Sequence, residues 1–256
     1  MPGELCEGND GPGQTRGSIR EHMLEGKCTL AVVPARSGSK GIPDKNMRSL
    51  SGTSLIGLAG RCLDSLAWID AKIISTDSVD YAREGMRYGL EAPFMRPSEL
   101  STDTAGAVET ITHALREAEN FCSKKFDIIL IVEPTSPLRR PEDIESSVRL
   151  LLSSGADSVV TVNPLSSKFH PAKVLREHEG RIYFYETRGA AVVMRQSLDA
   201  LYWRNGVCYA LTRSCLVDQK RIITANTVPF IMEREVVNID EPIELEWAEF
   251  LLKRQG

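Results

Sequence analysis

The sequence predicts an α/β fold, a three-layer sandwich around a mostly parallel mixed sheet. Three observations carry that prediction. Short apolar, β-branched runs recur at 30–33, 72–77, 127–132 and 158–162, and the first three lead on to segments of helical periodicity. The run at 127–132 is continuously apolar rather than alternating, as a strand covered on both faces is. A loop of glycine, serine and basic residues follows the first run directly, beyond the strand end where an open α/β sheet binds its ligand.

Residues 1–26 are glycine-rich, of mixed charge and without apolar periodicity, so they read as a flexible N-terminal extension to a domain over 27–256. The first strand, Leu30 to Val33, is cut off by Pro34. Leu55, Ile56, Leu58, Ala59, Leu63 and Leu66 set a helix over 54–66 that packs on it. A second strand, 72–77, ends in the carboxylate of Asp77, and helix 79–89 stops at Gly89, a C-cap residue. The polar connection 96–105 enters helix 106–119, with Thr104 as candidate N-cap. The strand at 127–132 is the strongest in the chain and delivers Glu133 to Arg139. Helix 141–153 opens on Pro141, with Glu142 and Asp143 at its positive end. After strand 158–162 the chain from 163 to 204 turns more basic and aromatic, and alternation at 181–186 indicates a hairpin or extended arm. Strands at 205–211 and 236–240 and a helix at 241–253 complete the expected order.

Composition narrows the function classes. A net charge of −4 and a pI near 5.7 offer no electrostatic footprint for nucleic acid. No apolar stretch approaches the roughly 20 residues needed to span a bilayer, so no membrane partner is expected and the protein reads as cytoplasmic. Six scattered cysteines, with no Cys-x-x-Cys pair, argue against zinc and against a disulfide framework.

The chemistry is concentrated between Arg36 and Asn46, where two glycines, two serines, one arginine and two lysines can turn the backbone and aim N–H groups and cations at one anion. A solvated basic turn would use the same residue types. The loop is neither a Walker A sequence nor Gly-x-Gly-x-x-Gly. Read as a string, Pro-Ala-Arg-Ser-Gly-Ser-Lys-Gly-Ile-Pro-Asp-Lys-Asn over 34–46 resembles the nucleotide-binding signature of the sugar-acid cytidylyltransferases, the acylneuraminate (CMP-sialic acid) synthetase family. Two further motifs are similar to that family's: Arg96-Pro-x-x-Leu-x-x-Asp-x-Ala105 and Glu133-Pro-Thr-Ser-Pro-Leu-Arg139.

The resemblance implies a Rossmann-like nucleotidyltransferase sheet and transfer of CMP from CTP to an acidic acceptor. Such transfer asks the protein to hold a triphosphate, offset its charge and align an acceptor oxygen with the α-phosphorus. Ala35, Arg36, Ser39, Lys40, Asn46, Arg96 and Ala105 would meet the nucleotide, and Arg36, Lys45 and Asp240 would carry catalysis. Glu133, Thr135, Ser136, Lys173, Arg195 and Asn205 would face the acceptor. Mg2+ would bind Asp240 and Asn238, although without the resemblance an N-cap role is the better reading of a lone Asp at a strand–helix junction. Asp77 and Asp103 are weaker metal candidates. The 163–204 segment would clasp a second subunit, making a homodimer whose sites are shared.

The chain departs from the family pattern at defined places. Glu133 stands for the usual Gln, Asn238 for the first Asp of Asp-x-Asp, Trp203 for a common Arg, and Ala107 for a common Ser. The leading expectation is a nonulosonic, sialic-acid-like acceptor, and Glu133 and Trp203 are what keep other acceptors open. The alternatives are the same reaction on 3-deoxy-octulosonate, a legionaminate or pseudaminate type acid or a phosphonate, and a nucleotide-binding module without catalysis.

Overall fold

The computed structural model describes residues 24–187, 189 and 198–255. Beside a small two-stranded sheet of β2 (Ser49–Leu50) and β3 (Thr53–Ser54), strands β1 (Thr29–Pro34), β4 (Ala71–Ser75), β5 (Ile128–Ile131), β6 (Ser158–Pro164), β9 (Tyr202–Thr212) and β10 (Thr227–Ile231) form one six-stranded sheet in the order β10-β6-β9-β5-β1-β4. β1 pairs parallel with β4 and β5, and β10 pairs parallel with β6. β9 runs antiparallel to both β5 and β6, which makes the sheet mixed.

Successive β1 residues serve opposite faces, as the two-residue period of a strand requires. Ala31 and Val33 enter one core with Ile56, Ala59 and Leu63 of α1 (Leu55–Asp64), Tyr81 of α2 (Val79–Arg87) and Ile144 and Val148 of α4 (Pro141–Ser154). Leu30 and Val32 enter a second core with Ile111, Ala114 and Leu115 of α3 (Ala107–Cys122) and Cys215 and Leu216 of α5 (Arg213–Val217). Helices thus cover both faces, the expected three layers. A smaller cluster seats Ala248 and Leu251 of α6 (Pro242–Gln255) on Leu50, Leu55, Val237 and Ile239.

The connectivity creates the crevice. From β1 the chain goes out to β4 on one side, then returns to β5 on the other, so the loops leaving β1 and β5 diverge from adjacent strands. That is the topological switch point of an open sheet.

Several expectations need correction. Residues 236–240 do not form a strand; they run as irregular chain, with Ile239 N bonded to Thr135 O at 2.8 Å and Asp240 N to the Glu244 carboxylate at 2.7 Å, and the edge strand is Thr227–Ile231 instead. Thr104 does not cap α3: Gly106 occupies that position with no side-chain cap. β9 extends over eleven residues rather than seven, and α5, capped by Thr212, lies where no element was expected. Of the N-terminal extension, residues 24–26 form one 3₁₀ turn whose Leu24 packs into the first core, and residues 1–23 lie outside the described residues.

The arm is a hairpin. β6 and β9 stay paired out to Pro164 and Tyr202, and beyond them β7 (Leu175–His178) and β8 (Arg181–Phe184) pair antiparallel across Glu179 and Gly180, both left-handed at φ 52 and 74. Two positive φ values in a two-residue turn are what strand twist demands, and Gly180 meets one of them without cost. Both hairpin strands are solvent-exposed along their whole length, Ile182 at 68% and Tyr185 nearby at 63%.

Candidate active site

A cleft of about 670 Å³ opens at the switch point between β1 and β5. Its floor and one wall come from the 36–46 loop, which contributes Arg36, Ser39, Lys40, Lys45 and Asn46. Arg96, Ala107 and Thr110 close one side, Glu133 and Thr135 the β5 side, and Asp240 the mouth.

Each loop side chain is placed by a bond traceable to its sequence. Asp77, at the end of β4, accepts from Ser37 N at 2.8 Å and Ser37 Oγ at 2.7 Å, and so fixes the turn out of β1. Burial pushes its carboxyl up, but the Ser37 bonds and the Arg96 guanidinium outweigh it and hold the group below the usual aspartate range. Asp77 is therefore a loop strap. Asp44, left-handed at φ 50, is pinned by the Tyr81 hydroxyl at 3.2 Å, and Asn46 donates to the Arg36 carbonyl at 3.3 Å. Burial and Asp44 raise the Tyr81 phenol to about 12.

The cations are balanced by carboxylates they could exchange for phosphate. Asp103 pairs with both Arg36 (2.6 Å) and Lys40 (2.5 Å), and those partners, Lys40 first, lower its carboxyl. Asp103 is thus a cation partner. Lys45, only 15% exposed, reaches Asp240 at 2.8 Å. Asp240 does not cap α6 with its side chain; the Glu244 carboxylate does that, accepting from Asp240 N and Glu241 N at 2.7 and 2.8 Å. Arg96 has no carboxylate within ion-pair distance among the described residues: it donates to Ser75 Oγ and to the Ser75 carbonyl, and burial lowers its guanidinium to about 10, partly offset by Asp77. A buried cation at the cleft wall favours an incoming anion.

On the acceptor side the structure separates the expected residues. Glu133 and Thr135 line the cleft, whereas Ser136 and Asn205 are wholly buried behind it. Asn205 Nδ2 donates to Asn163 Oδ1 at 2.7 Å, and its Oδ1 accepts from Thr161 Oγ1 at 2.6 Å and Val207 N at 3.1 Å. Its amide is spent inside the fold, which corrects the expectation of an acceptor contact. Ser136 likewise donates to the Asn205 carbonyl at 2.5 Å. Ala35 is buried in the core, its N bonded to Ser75 O at 2.9 Å, and Ala107 rather than Ala105 lines the cleft. Lys173 is exposed on the arm, and Arg195 lies outside the described residues.

Among the cleft residues that escaped the sequence reading are Arg204 and Tyr209. They are five apart on β9, so a regular strand would send them to opposite faces. A bulge reverses this: the register shifts between Val160 and Val162, and Gly206, at φ 70, sits in the irregular stretch. Trp203 instead packs against the first core, and the cation that β9 gives the cleft is Arg204, one residue later. Burial and the neighbouring Glu133 carboxylate push the Tyr209 phenol upward.

Residues 30–222 match the family described as cytidylyltransferase. The chain belongs to the cytidylyltransferase family. The cytidylyltransferase is 31% identical over 232 residues to the CMP-N,N'-diacetyllegionaminic acid synthase of Legionella pneumophila, covering 88% of this chain and 96% of that relative. It is 24% identical over 225 residues to the pseudaminic acid cytidylyltransferase of Campylobacter jejuni, at 88% and 96% coverage. A solved CMP:2-keto-3-deoxy-manno-octonic acid synthetase complexed with CTP superposes with a TM-score of 0.65 at 17% identity, over 90% of this chain and 100% of that one, and bears on the fold alone.

Proposed function

We propose that this cytidylyltransferase transfers CMP from CTP to the hydroxyl of a nonulosonic, sialic-acid-like sugar acid and releases pyrophosphate. The observation that carries the reading is the row of Arg36, Lys40, Lys45 and Arg96 along one cleft at the switch point. A triphosphate brings the anion these cations match, and an acceptor carboxylate finds Arg204 further along the cleft. The legionaminate and pseudaminate enzymes among the relatives support a nine-carbon acid.

In the reaction the acceptor hydroxyl oxygen attacks the α-phosphorus and gives up its proton to water, the bond from that phosphorus to the bridging oxygen breaks, and pyrophosphate leaves with the electron pair. Arg36 and Lys40 give up Asp103 for phosphate, Lys45 offsets charge near the reacting centre, and Asn46 offers its amide to the base. Mg2+ is the cofactor of this reading: among the described residues no group of three or more Asp, Glu, His or Cys side chains is placed to hold a metal, but the cleft carboxylates Asp240 and Glu133, with the buried and unpartnered Asn238 Oδ1, would serve an ion that takes its other ligands from the triphosphate. When bound, the ion supplies Lewis-acid neutralisation of the triphosphate.

The enzyme works in the cytoplasm, where CTP is at hand, and among the described residues no helix is long and apolar enough to cross a membrane. A homodimer formed through the 163–204 arm accounts for the exposed Ile182, Phe184 and Tyr185, and brings Lys173 and Arg195 to a shared site. A pyrophosphate-release assay with CTP and a panel of acids tests the reading. Release with sialic, legionaminic or pseudaminic acid is expected; release only with an octulosonate or a phosphonate, or none with any acid, overturns it.

A further inference from the structure

Glu133 and Asn238, two positions where the chain departs from the pattern it otherwise resembles, touch each other: Asn238 Nδ2 donates to Glu133 Oε2 at 3.2 Å. The exchange is reciprocal, a carboxylate where an amide is usual and an amide where a carboxylate is usual. The contact pair as a whole still holds one carboxylate. We propose that Glu133 is the second metal-binding carboxylate of the cleft, opposite Asp240, and that Asn238 is the positioning residue that holds it there. The proposal rests on the cytidylyl-transfer reading above.

Three features of the structure support it. Glu133 lines the cleft, yet among the described residues no Lys or Arg side chain lies within ion-pair distance of it, whereas Asp103 and Asp240 both have such partners. Its carboxylate stands beside the Tyr209 phenol and near the buried Arg139 guanidinium, neither of which pairs with it as an ion. The orientation of Asn238 is fixed by chemistry, because only its NH₂ can donate to a carboxylate. That leaves Asn238 Oδ1 as the buried oxygen with no partner, a neutral hard donor beside an anionic one.

The Glu133 backbone is also held from behind. Glu133 N donates to the Gly206 carbonyl at 3.3 Å, and the buried Arg139 donates to the Glu133 carbonyl. At Gly206 an added Cβ would stand 2.3 Å from Glu133 Oε2 and 2.7 Å from Ser136 Oγ, so the bulge in β9 keeps open the space that the carboxylate fills. A carboxylate fixed in this way is a preorganised ligand. A side chain merely left over from drift would need none of this support.

The test is a titration of Mn2+ into protein saturated with CTP and without acceptor, with bound Mn2+ read by electron paramagnetic resonance. Glu133→Gln is expected to weaken Mn2+ binding by about tenfold or more while CTP still binds by calorimetry. The exchanged pair, Glu133→Gln with Asn238→Asp, restores affinity to within about threefold of the natural protein, because it returns one carboxylate to the contact. Wild-type Mn2+ affinity in a folded Glu133→Gln variant, or a double variant no tighter than the single, overturns the proposal. Should Glu133→Gln fail to fold, Glu133→Asp carries the test, since the shorter carboxylate must loosen Mn2+ with CTP affinity unchanged, and unchanged Mn2+ binding there also overturns it. A natural protein that does not bind CTP overturns the functional reading itself, an outcome separate from these.

Discussion

Gly41→Ala probes how closely the phosphate loop must approach Asp240. An alanine Cβ there would stand 2.6 Å from the Asp240 carbonyl oxygen, a backbone atom, where ordinary contact begins near 3.4 Å. The two segments must therefore part by about 0.8 Å. The Asp240 side has little give, because Ile239 N is bonded to Thr135 O at 2.8 Å and Asp240 N to Glu244 at 2.7 Å. The displacement falls on the loop, and with it on Lys45, which reaches Asp240 at 2.8 Å. A misplacement approaching 1 Å at a reacting centre costs on the order of 10–100-fold in kcat/KM, about 1.4–2.7 kcal/mol of transition-state stabilisation. Gly41 is exposed, so the melting temperature should barely move. Steady-state pyrophosphate release beside a thermal melt measures both. A kcat/KM within about twofold of the natural enzyme would refute the claim that the loop and Asp240 act as one unit.

Asn205→Ala should destabilise the fold by about 2–3 kcal/mol in chemical denaturation, since it strands Thr161 and Asn163 in the core, and should leave the acceptor KM of the folded fraction unchanged. Glu119, whose carboxylate pairs with Arg213 at 3.0 Å and Lys125 at 2.8 Å, gives a pH test. Burial pushes its carboxyl up, but these bonds win and hold it below the usual glutamate value of 4.5, so its stabilisation is complete above that value and fades as pH falls through the lowered one. Glu119→Gln should thus cost about 1–3 kcal/mol at pH 7, and the gap to the natural protein should narrow in melts at increasingly acid pH. On the arm, Ile182→Asp with Tyr185→Asp should convert a dimer to monomer in light scattering; an unchanged mass would remove the hairpin from assembly.

The parts of this molecule legible from sequence are those whose determinants are local. β1, α1, α2 and α4 each carry their own period and their own punctuation, such as Ser54, which accepts from Gly57 N, and Gly155, left-handed at the end of α4. β10 was hidden because Thr227-Val-Pro-Phe-Ile231 has a proline within an edge strand and is only partly buried, so its period is blurred. Residues 236–240 misled for the opposite reason: Val236, Val237 and Ile239 are apolar because they pack on α4 and α6 from an irregular segment. Arg204 and Tyr209 were invisible because a bulge, with Gly206 at φ 70, changes which face β9 presents. Asn205, beside that glycine, looked like a ligand contact and is instead the buried amide that ties β9 to Asn163 and Thr161.

The cleft at rest also explains how so many cations tolerate one another before a nucleotide arrives. Arg36 and Lys40 share Asp103, and Lys45 holds Asp240, so repulsion among them is screened by carboxylates whose side chains are 38% and 74% exposed. Ion pairs that exposed are weak and easily exchanged. A triphosphate can replace Asp103 without a large desolvation cost, while Asp77, bonded twice to Ser37, keeps the turn in place as the partners change. Glu133, which also lines the cleft, has no ion-pair partner among the described residues and is held by the Asn238 amide instead.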